Sequence, residues 1–301
     1  QARKSVRLMA EQTAAPLRPG DAMAVAAASS ALADAERLHQ GVSLLESWGL
    51  RCRPHSVVGR HWGYLAGRDE QRLDDLLPET PVSLLACARG GWGAARLLER
   101  PIPWQPGWLL GFSDVTALLW GRLAAGFDGG MHGPLLTTLS AEPEWSQQRM
   151  RQLLFGDALQ DLQGRGLGGG IASGPLLVAN LTVASHLLGS PWIPDLDGAI
   201  LILEDVGEAP YRIDRMLTHW RLCGALHRLA GLGFGSFSDC EDDRPDQLNF
   251  TVSQVLEERT ADLNIPRVMD LPVGHQPGNA ALPLGRQARL DGDTGQLSLL
   301  S

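Results

Sequence analysis

Trp108-Leu109-Leu110-Gly111 is a short apolar run that passes through Phe112-Ser113-Asp114 straight into a helical pattern lasting to Leu123. The same order of events recurs on either side of it. Upstream, Ala22–Ala27 is apolar and leads through Ser29-Ser30, which are placed to cap a helix, into the amphipathic stretch Leu32–Trp48. Gly49 stands where a left-handed residue ends such a helix. Cys52–Val58 reads as extended and Glu70–Leu77 as a short helix. Val82–Ala88 is a buried-strand pattern broken by Arg89-Gly90-Gly91, with a helix over Ala94–Leu98. Short apolar runs alternating with helices predict an α/β fold built on a parallel sheet.

Composition narrows the function. The chain has 301 residues, room for two ordinary domains, and 44% apolar with 20% charged residues excludes wholesale disorder. Its 35 glycines and 19 prolines follow no triplet period, which excludes collagen. A net charge of -8, with no runs of Lys or Arg, argues against nucleic acid as a partner. A single arginine can still meet a substrate carboxylate. Cys52, Cys87, Cys223 and Cys240 lie far apart without metal-ligand spacing, so no metal, no cofactor and no disulfide framework is expected, and the compartment is expected to be reducing. Cys87, inside an apolar run, is expected to pack as a small hydrophobe. Gln1–Leu8 is basic, but Glu11, Gln12 and Pro16 follow where a secretory signal needs apolar residues, and Met9 equally suits a natural start. Gly166–Pro194 lacks charge, yet its glycines, Pro175, Asn180 and His186 break any membrane span. The expected location is the cytoplasm.

The character changes between Glu142 and Gly174. Glu142–Gly156 reads as a polar helix and Gly164–Gly174 is Gly-rich. Beyond it, Leu176–Leu188 looks helical, Gly198–Leu203 is a strand ending in Glu204, and Ile213–Leu222 is helical. Gly231–Phe237 follows as a strand, Val252–Arg259 as a helix, Ile265–Leu271 as a strand and Leu282–Leu290 as a last extended piece. The expected organisation is an α/β domain over 17–140, a connection over 141–174 and a second domain over 175–301.

Ser113 carries the sharpest chemical signal. A serine between an apolar strand and a helix sits where a tight turn exposes its hydroxyl and the helix N-terminus offers backbone N–H groups to an oxyanion. The placement is that of a nucleophile elbow, although Val115 stands where the general G-x-S-x-G pattern has its last glycine. A helix cap is the plainer reading of the same residue. A serine nucleophile needs a base and a group to orient that base. His275 lies in the Gly/Pro loop Pro272–Gly278 after a strand, and His132, in Gly130–Pro134, is its main rival. Glu204 ends a buried strand, where α/β proteins place ligand groups. Arg89-Gly90-Gly91-Trp92 also follows a strand. Its glycines let backbone approach a substrate, and Arg89 offers a planar fork for a carboxylate.

Taken in order, these stretches resemble the LD-carboxypeptidase family, serine peptidases that include murein tetrapeptide carboxypeptidases and microcin C immunity peptidases. The resemblance runs from Leu17-Arg18-Pro19-Gly20-Asp21 and Ser29-Ser30 through Arg89–Gly93, Gly111–Asp114, His132-Gly133-Pro134 and Asn180-Leu181. It continues with Leu203–Glu208 and Pro210–Arg215, and closes with Gly274-His275 and Leu282–Gly285. It implies a flavodoxin-like parallel-sheet N-terminal domain carrying Ser113 as nucleophile. It also implies a smaller β-rich C-terminal domain carrying His275 as base and Glu204 as its orienting acid. The oxyanion hole would use the backbone N–H groups of Asp114, Gly90 and Gly91, the active site would lie between the domains, and the protein would be a homodimer. Phe112 and Trp92 stand where tyrosine is common in the family, and Ala179 where glycine is frequent. These departures touch packing and substrate shape rather than proton transfer.

The expected activity is removal of the terminal D-alanine from cytoplasmic murein tetrapeptide, with Arg89 and Trp92 as candidate substrate-binding residues. A microcin-type peptidase acting on an aminoacyl-nucleotide is the same-chemistry alternative; it needs an aromatic surface for the base, for which Trp192 and Trp92 are the available guesses. A catalytically silent module that binds peptide or murein is the alternative of another class.

Overall fold

The computed structural model describes residues 14–242, 244 and 248–300; Gln1–Leu8 and Met9 lie outside the described residues. The chain forms two compact units. The first runs to Leu159 and takes back Pro277–Gly285, and the second comprises Gln160–Gln276 with the tail from Arg286. In chain order the first unit carries β1 (Ala22–Ala26), α1 (Ala35–Ser47), β2 (Arg51–Cys52), α2 (Asp69–Asp75) and β3 (Leu84–Cys87). Then come β4 (Trp108–Gly111), α3 (Thr116–Ala124), β5 (Gly130–His132), α4 (Leu136–Leu139) and α5 (Glu144–Phe155). The second unit carries β6 (Leu162–Gln163), β7 (Arg165–Gly166), β8 (Ile171–Asn180), α6 (Leu181–Leu187) and β9 (Ile200–Val206). It goes on with α7 (Pro210–Leu222), β10 (Gly231–Ser238), α8 (Val252–Glu258) and β11 (Arg267–Met269). Finally β12 (Leu282–Pro283) returns to the first unit, and β13 (Gln287–Asp291) and β14 (Gln296–Leu299) to the second.

The first sheet is parallel in the order β2-β1-β3-β4-β5, with β12 antiparallel on the β5 edge. This is the flavodoxin-like doubly wound order, whose sense reverses between β1 and β3. Alternate residues Met23, Val25, Leu84, Ala86, Trp108 and Leu110 cluster with Leu38, Val42 and Leu45 of α1 and with Leu153 and Leu154 of α5. The residues between them, Leu85 and Leu109, are buried as well. A sheet covered on both faces has no use for a polar alternation, which is why these strands read as unbroken apolar runs.

Local details depart from the sequence reading for identifiable reasons. Asp34, not Ser29-Ser30, caps α1: its carboxylate accepts from the backbone N–H groups of Glu36 and Arg37. Ala94–Glu99 is a 3-10 turn rather than an α-helix. It has only six residues before Arg100, which Pro101 pushes into the extended region. Leu176–Asn180 is the inner half of β8, paired in parallel with Ile200–Glu204, and the helix starts only at Leu181. A short, fully buried apolar run has no period by which strand and helix can be told apart.

The second sheet has the order β6-β14-β13-β8-β9-β10-β11-β7, parallel from β8 to β11 and antiparallel outside them. The glycines of Gly164–Gly174 let backbones meet within it. A Cβ on Gly174 would lie 1.9 Å from the carbonyl oxygen of Gly198. Among the described residues no helix is long and apolar enough to cross a membrane.

One buried cation holds the loops at the carboxyl end of the first sheet. Arg72 of α2, 0% exposed, donates to the carbonyls of Gly67, Ala28 and Gly93 and pairs with Asp69. Replacing it with methionine keeps much of the volume but takes a charged donor from three buried carbonyls and leaves Asp69 paired with Arg96 alone. The expected loss is about 3–5 kcal/mol of unfolding free energy, read from denaturant midpoints. A loss below about 1 kcal/mol would show that the loops hold without it.

Candidate active site

β4 ends at Gly111, Phe112 is extended, and Ser113 adopts φ +63 before a 3-10 turn feeds α3. A non-glycine residue in the left-handed region is strained by about 1–3 kcal/mol, and such strain concentrates at functional positions. The neighbours explain the local sequence. A Cβ on Gly111 would lie 2.6 Å from Val115 Cγ1, so glycine before the serine is what makes room for valine after it. The elbow is thus built without the second glycine of the general pattern.

The turn after β3 presses against this serine. A Cβ on Gly90 would lie 3.1 Å from Ser113 Oγ and 3.7 Å from the backbone nitrogen of Asp114. Ser30, which follows β1, fixes that turn: its hydroxyl accepts from the Trp92 N–H at 3.0 Å, and its N–H donates to the Gly90 carbonyl at 3.2 Å. Gly91, at φ +106, passes directly over the Ser30 hydroxyl, where any side chain would collide. Asp114 turns its carboxylate inward to accept from the Ala94 N–H, and burial pushes its pKa up. Gly90, Gly91, Asp114 and Ser113 are therefore brought together within the first unit. Arg89 is half-buried, donates to the Ala31 carbonyl at 2.7 Å and lines a pocket of about 250 Å³ with Asp34, Arg37 and Thr137. Trp92 is exposed. His132 pairs in register with Gly111 but is fully buried, edge-on to Phe112 at 5.7 Å, which makes it a core residue rather than a rival base.

In the second unit, Glu204 lies in the buried part of β9 and is 0% exposed. Its Oε2 lies 2.7 Å from His275 Nδ1. The Asn180 amide, at the end of neighbouring β8, reaches both Glu204 Oε1 and Asp205 Oδ1, while its own carbonyl oxygen caps α6. Asp205 is turned away by Thr182, whose N–H and hydroxyl both donate to it. Burial pushes the Glu204 carboxyl up, opposed by the His275 imidazole. Burial alone would lower the His275 pKa, but the hydrogen bond to Glu204, its charge and that of Asp205 outweigh this, and the net shift is upward.

The backbone that presents His275 hangs on an irregularity in β10. The register of β10 against β9 shifts between Phe234 and Phe237, and over the same stretch β10 clamps the loop on its other side: Leu271 N–H donates to the Phe234 carbonyl and Ser236 N–H to the Val273 carbonyl. Such bulges re-aim side chains beside active sites. Gly274, at φ +130, has no room for a Cβ, which would lie 2.3 Å from Ser236 Oγ and 3.1 Å from Glu204 Oε2. Gly274→Ala is expected to lower kcat by about tenfold or more by displacing His275 from Glu204. Steady-state rates check it, and unchanged kcat would remove the loop from the positioning role. Asn180, Thr182, Ser236 and Gly274 were not singled out as site residues by their sequence. Asn180 and Gly274 do fall within the stretches that resemble the family, and Asn180 is also a favoured helix cap.

Comparison with known proteins adds to this geometry. The family model for the LD-carboxypeptidase N-terminal domain matches residues 23–133, and that for the LD-carboxypeptidase C-terminal domain matches residues 173–290. The chain belongs to the LD-carboxypeptidase family. This LD-carboxypeptidase is 47% identical over 291 residues to a putative carboxypeptidase of Synechocystis sp., covering 95% of this chain and 96% of that one. It is 32% identical over 265 residues to the murein tetrapeptide carboxypeptidase of Pseudomonas aeruginosa, covering 78% and 83%. Among solved structures it is similar to the muramoyltetrapeptide carboxypeptidase from Oxalobacter formigenes, with TM-score 0.80, 25% identity, and 92% and 97% of the two chains covered. The microcin C7 self immunity protein in complex with aspartyl sulfamoyl adenosine shares the fold, with TM-score 0.84 at 20% identity over 96% and 98%. This LD-carboxypeptidase is accordingly a serine peptidase with a mixed α/β, two-domain fold and peptide-cleaving relatives.

Proposed function

We propose that Ser113, His275 and Glu204 act as nucleophile, base and orienting acid in removing the C-terminal D-alanine from murein tetrapeptide during cytoplasmic cell-wall recycling. The observation that carries this reading is the 2.7 Å contact between His275 Nδ1 and a fully buried Glu204 carboxylate. With Nδ1–H donating to Glu204, the lone pair stands on Nε2, the tautomer a general base requires. Ser113 Oγ attacks the carbonyl carbon and gives its proton to His275 Nε2. The oxyanion takes N–H groups of Asp114 and of the Gly90-Gly91 turn. His275 then protonates the departing D-alanine amine as the C–N bond breaks, and water hydrolyses the acyl-serine by the same relay. Arg89 is the proposed partner of the substrate's terminal carboxylate.

Mass spectrometry of murein tetrapeptide incubated with the protein tests the reading, with D-alanine release expected from the parent and not from Ser113→Ala. Absence of release by the parent would refute this activity, and an aminoacyl-nucleotide of the microcin type would be the next substrate to try. The working form proposed is a homodimer, expected to scatter light at about twice the 32.4 kDa of the chain.

A further inference from the structure

We propose that Trp62, Tyr64 and Trp92 form a saccharide subsite beside Ser113, which favours murein peptides still attached to their amino sugar over free peptides. The inference rests on the murein-peptidase reading above and deepens it. Trp62, Tyr64 and Trp92 are 39%, 66% and 41% exposed, large rings left in water within one loop cluster. Exposed aromatic surface gathered in one place marks a ligand site.

The cluster lies at the carboxyl end of the first sheet where the strand order reverses between β1 and β3, the place where doubly wound sheets bind ligands. Its connection to the nucleophile is continuous. Gly90 abuts Ser113, Trp92 donates its N–H to Ser30, Ala31 donates to the Tyr64 carbonyl, and Leu65 bridges to both Ser30 and Trp62.

Two buried or half-buried arginines hold the loop. Arg60 binds Asp75, Ala27 and Ala66, and Arg72 binds Gly67, Ala28 and Gly93. The backbone that carries the rings is therefore fixed before any ligand arrives, which spares part of the ordering entropy that weakens binding.

The chemistry of the surface selects the ligand. Arg68 and Arg96 lie over the Trp62 ring at 4.9 and 5.5 Å, and Arg96 is close enough to Tyr64 to interact with it electrostatically. With Trp62 already carrying two guanidinium groups, Tyr64, 66% exposed, is the most open of the three rings. A pyranose sets its apolar C–H face on such a ring while its hydroxyl and acetamido oxygens accept from the neighbouring guanidinium donors.

The test compares kcat/KM of the full chain for free murein tetrapeptide and for the same peptide carrying N-acetylmuramic acid. The parent is expected to favour the sugar-linked peptide through a lower KM. Tyr64→Ala and Trp62→Ala are each expected to reduce the ratio of the two values by about tenfold, again through KM. A ratio that does not move overturns the proposal, and so does an equal loss on both substrates, the result of a merely structural role. If the parent cleaves neither peptide, the catalytic reading fails separately, and tryptophan fluorescence titrated with N-acetylmuramic acid decides the subsite. A saturable change weakened by Tyr64→Ala supports it. No change, or a stronger response to adenosine monophosphate, overturns it.

Discussion

Ser113→Ala is expected to reduce D-alanine release by on the order of 10⁴-fold or more, since removal of a serine nucleophile leaves only binding and oxyanion stabilisation to act on water. The left-handed backbone at this position adds a second expectation. Alanine suffers the same steric conflict at φ +63 as serine, whereas glycine does not. Ser113→Gly is therefore expected to be equally inactive but more stable than Ser113→Ala by about 1 kcal/mol, apart from the extra freedom glycine brings to the unfolded chain. Paired denaturant midpoints and D-alanine assays measure both. Residual activity above a tenth of the parent's in either variant would show that the nucleophile is elsewhere. Equal stability of the two would show that the turn carries no strain.

Glu204→Gln is expected to lower kcat by about 10³–10⁴-fold, because a glutamine amide neither stabilises the imidazolium formed during attack nor enforces the Nε2 base tautomer. Its effect on pH dependence follows from the direction of the His275 shift. Glu204 raises the folded-state pKa of His275 above the ordinary value, and the base works only when neutral. In the parent, activity should therefore rise with pH through a limb lying above about 6.5, the usual imidazole range. In Glu204→Gln the limb should fall to lower pH, because the raising charge and hydrogen bond are gone. Stability runs the other way. A raised histidine pKa contributes stability that is complete below the unfolded-state value and is lost as pH rises through the folded-state value. The parent should thus lose some thermal stability over the same interval in which it gains rate. A rate profile whose limb does not move in the variant would separate His275 from Glu204 in function.

The sequence was most legible where a residue answers to its immediate neighbours. The strands of the first sheet, Gly49 at φ +96 and the serine turn after β4 are of that kind, since strand runs, terminal glycines and strand-to-helix junctions are local patterns. Cys87 is fully buried, and burial pushes its thiol up to about 12, as its apolar run implied. What stayed hidden depends on partners far away in the chain. The Asn180 amide meets carboxylates 24 and 25 residues on, and β10 holds the His275 loop through Leu271 and Val273, more than 30 residues downstream. Trp62 and Tyr64 lie in a polar stretch whose meaning comes from loops after β1 and β3. The β8 strand was lost for the opposite reason: burial on both sides removed the polar positions that reveal a period.

The late return of the chain to its first unit has a consequence for synthesis on the ribosome. The first unit receives β12 and the rest of Pro277–Gly285 only after the whole of Gln160–Gln276 has been made. Until then β5 presents an unpaired edge and the Glu142 carboxylate lacks the N–H groups of Gly278 and Asn279 that it finally accepts. A nascent chain released at Leu159 is thus an incomplete unit with an open sheet edge, the kind of intermediate that associates with its copies. Completion is a late, long-range closure that no local helix or hairpin can hasten, so refolding should be slow for a chain so rich in early parallel pairs.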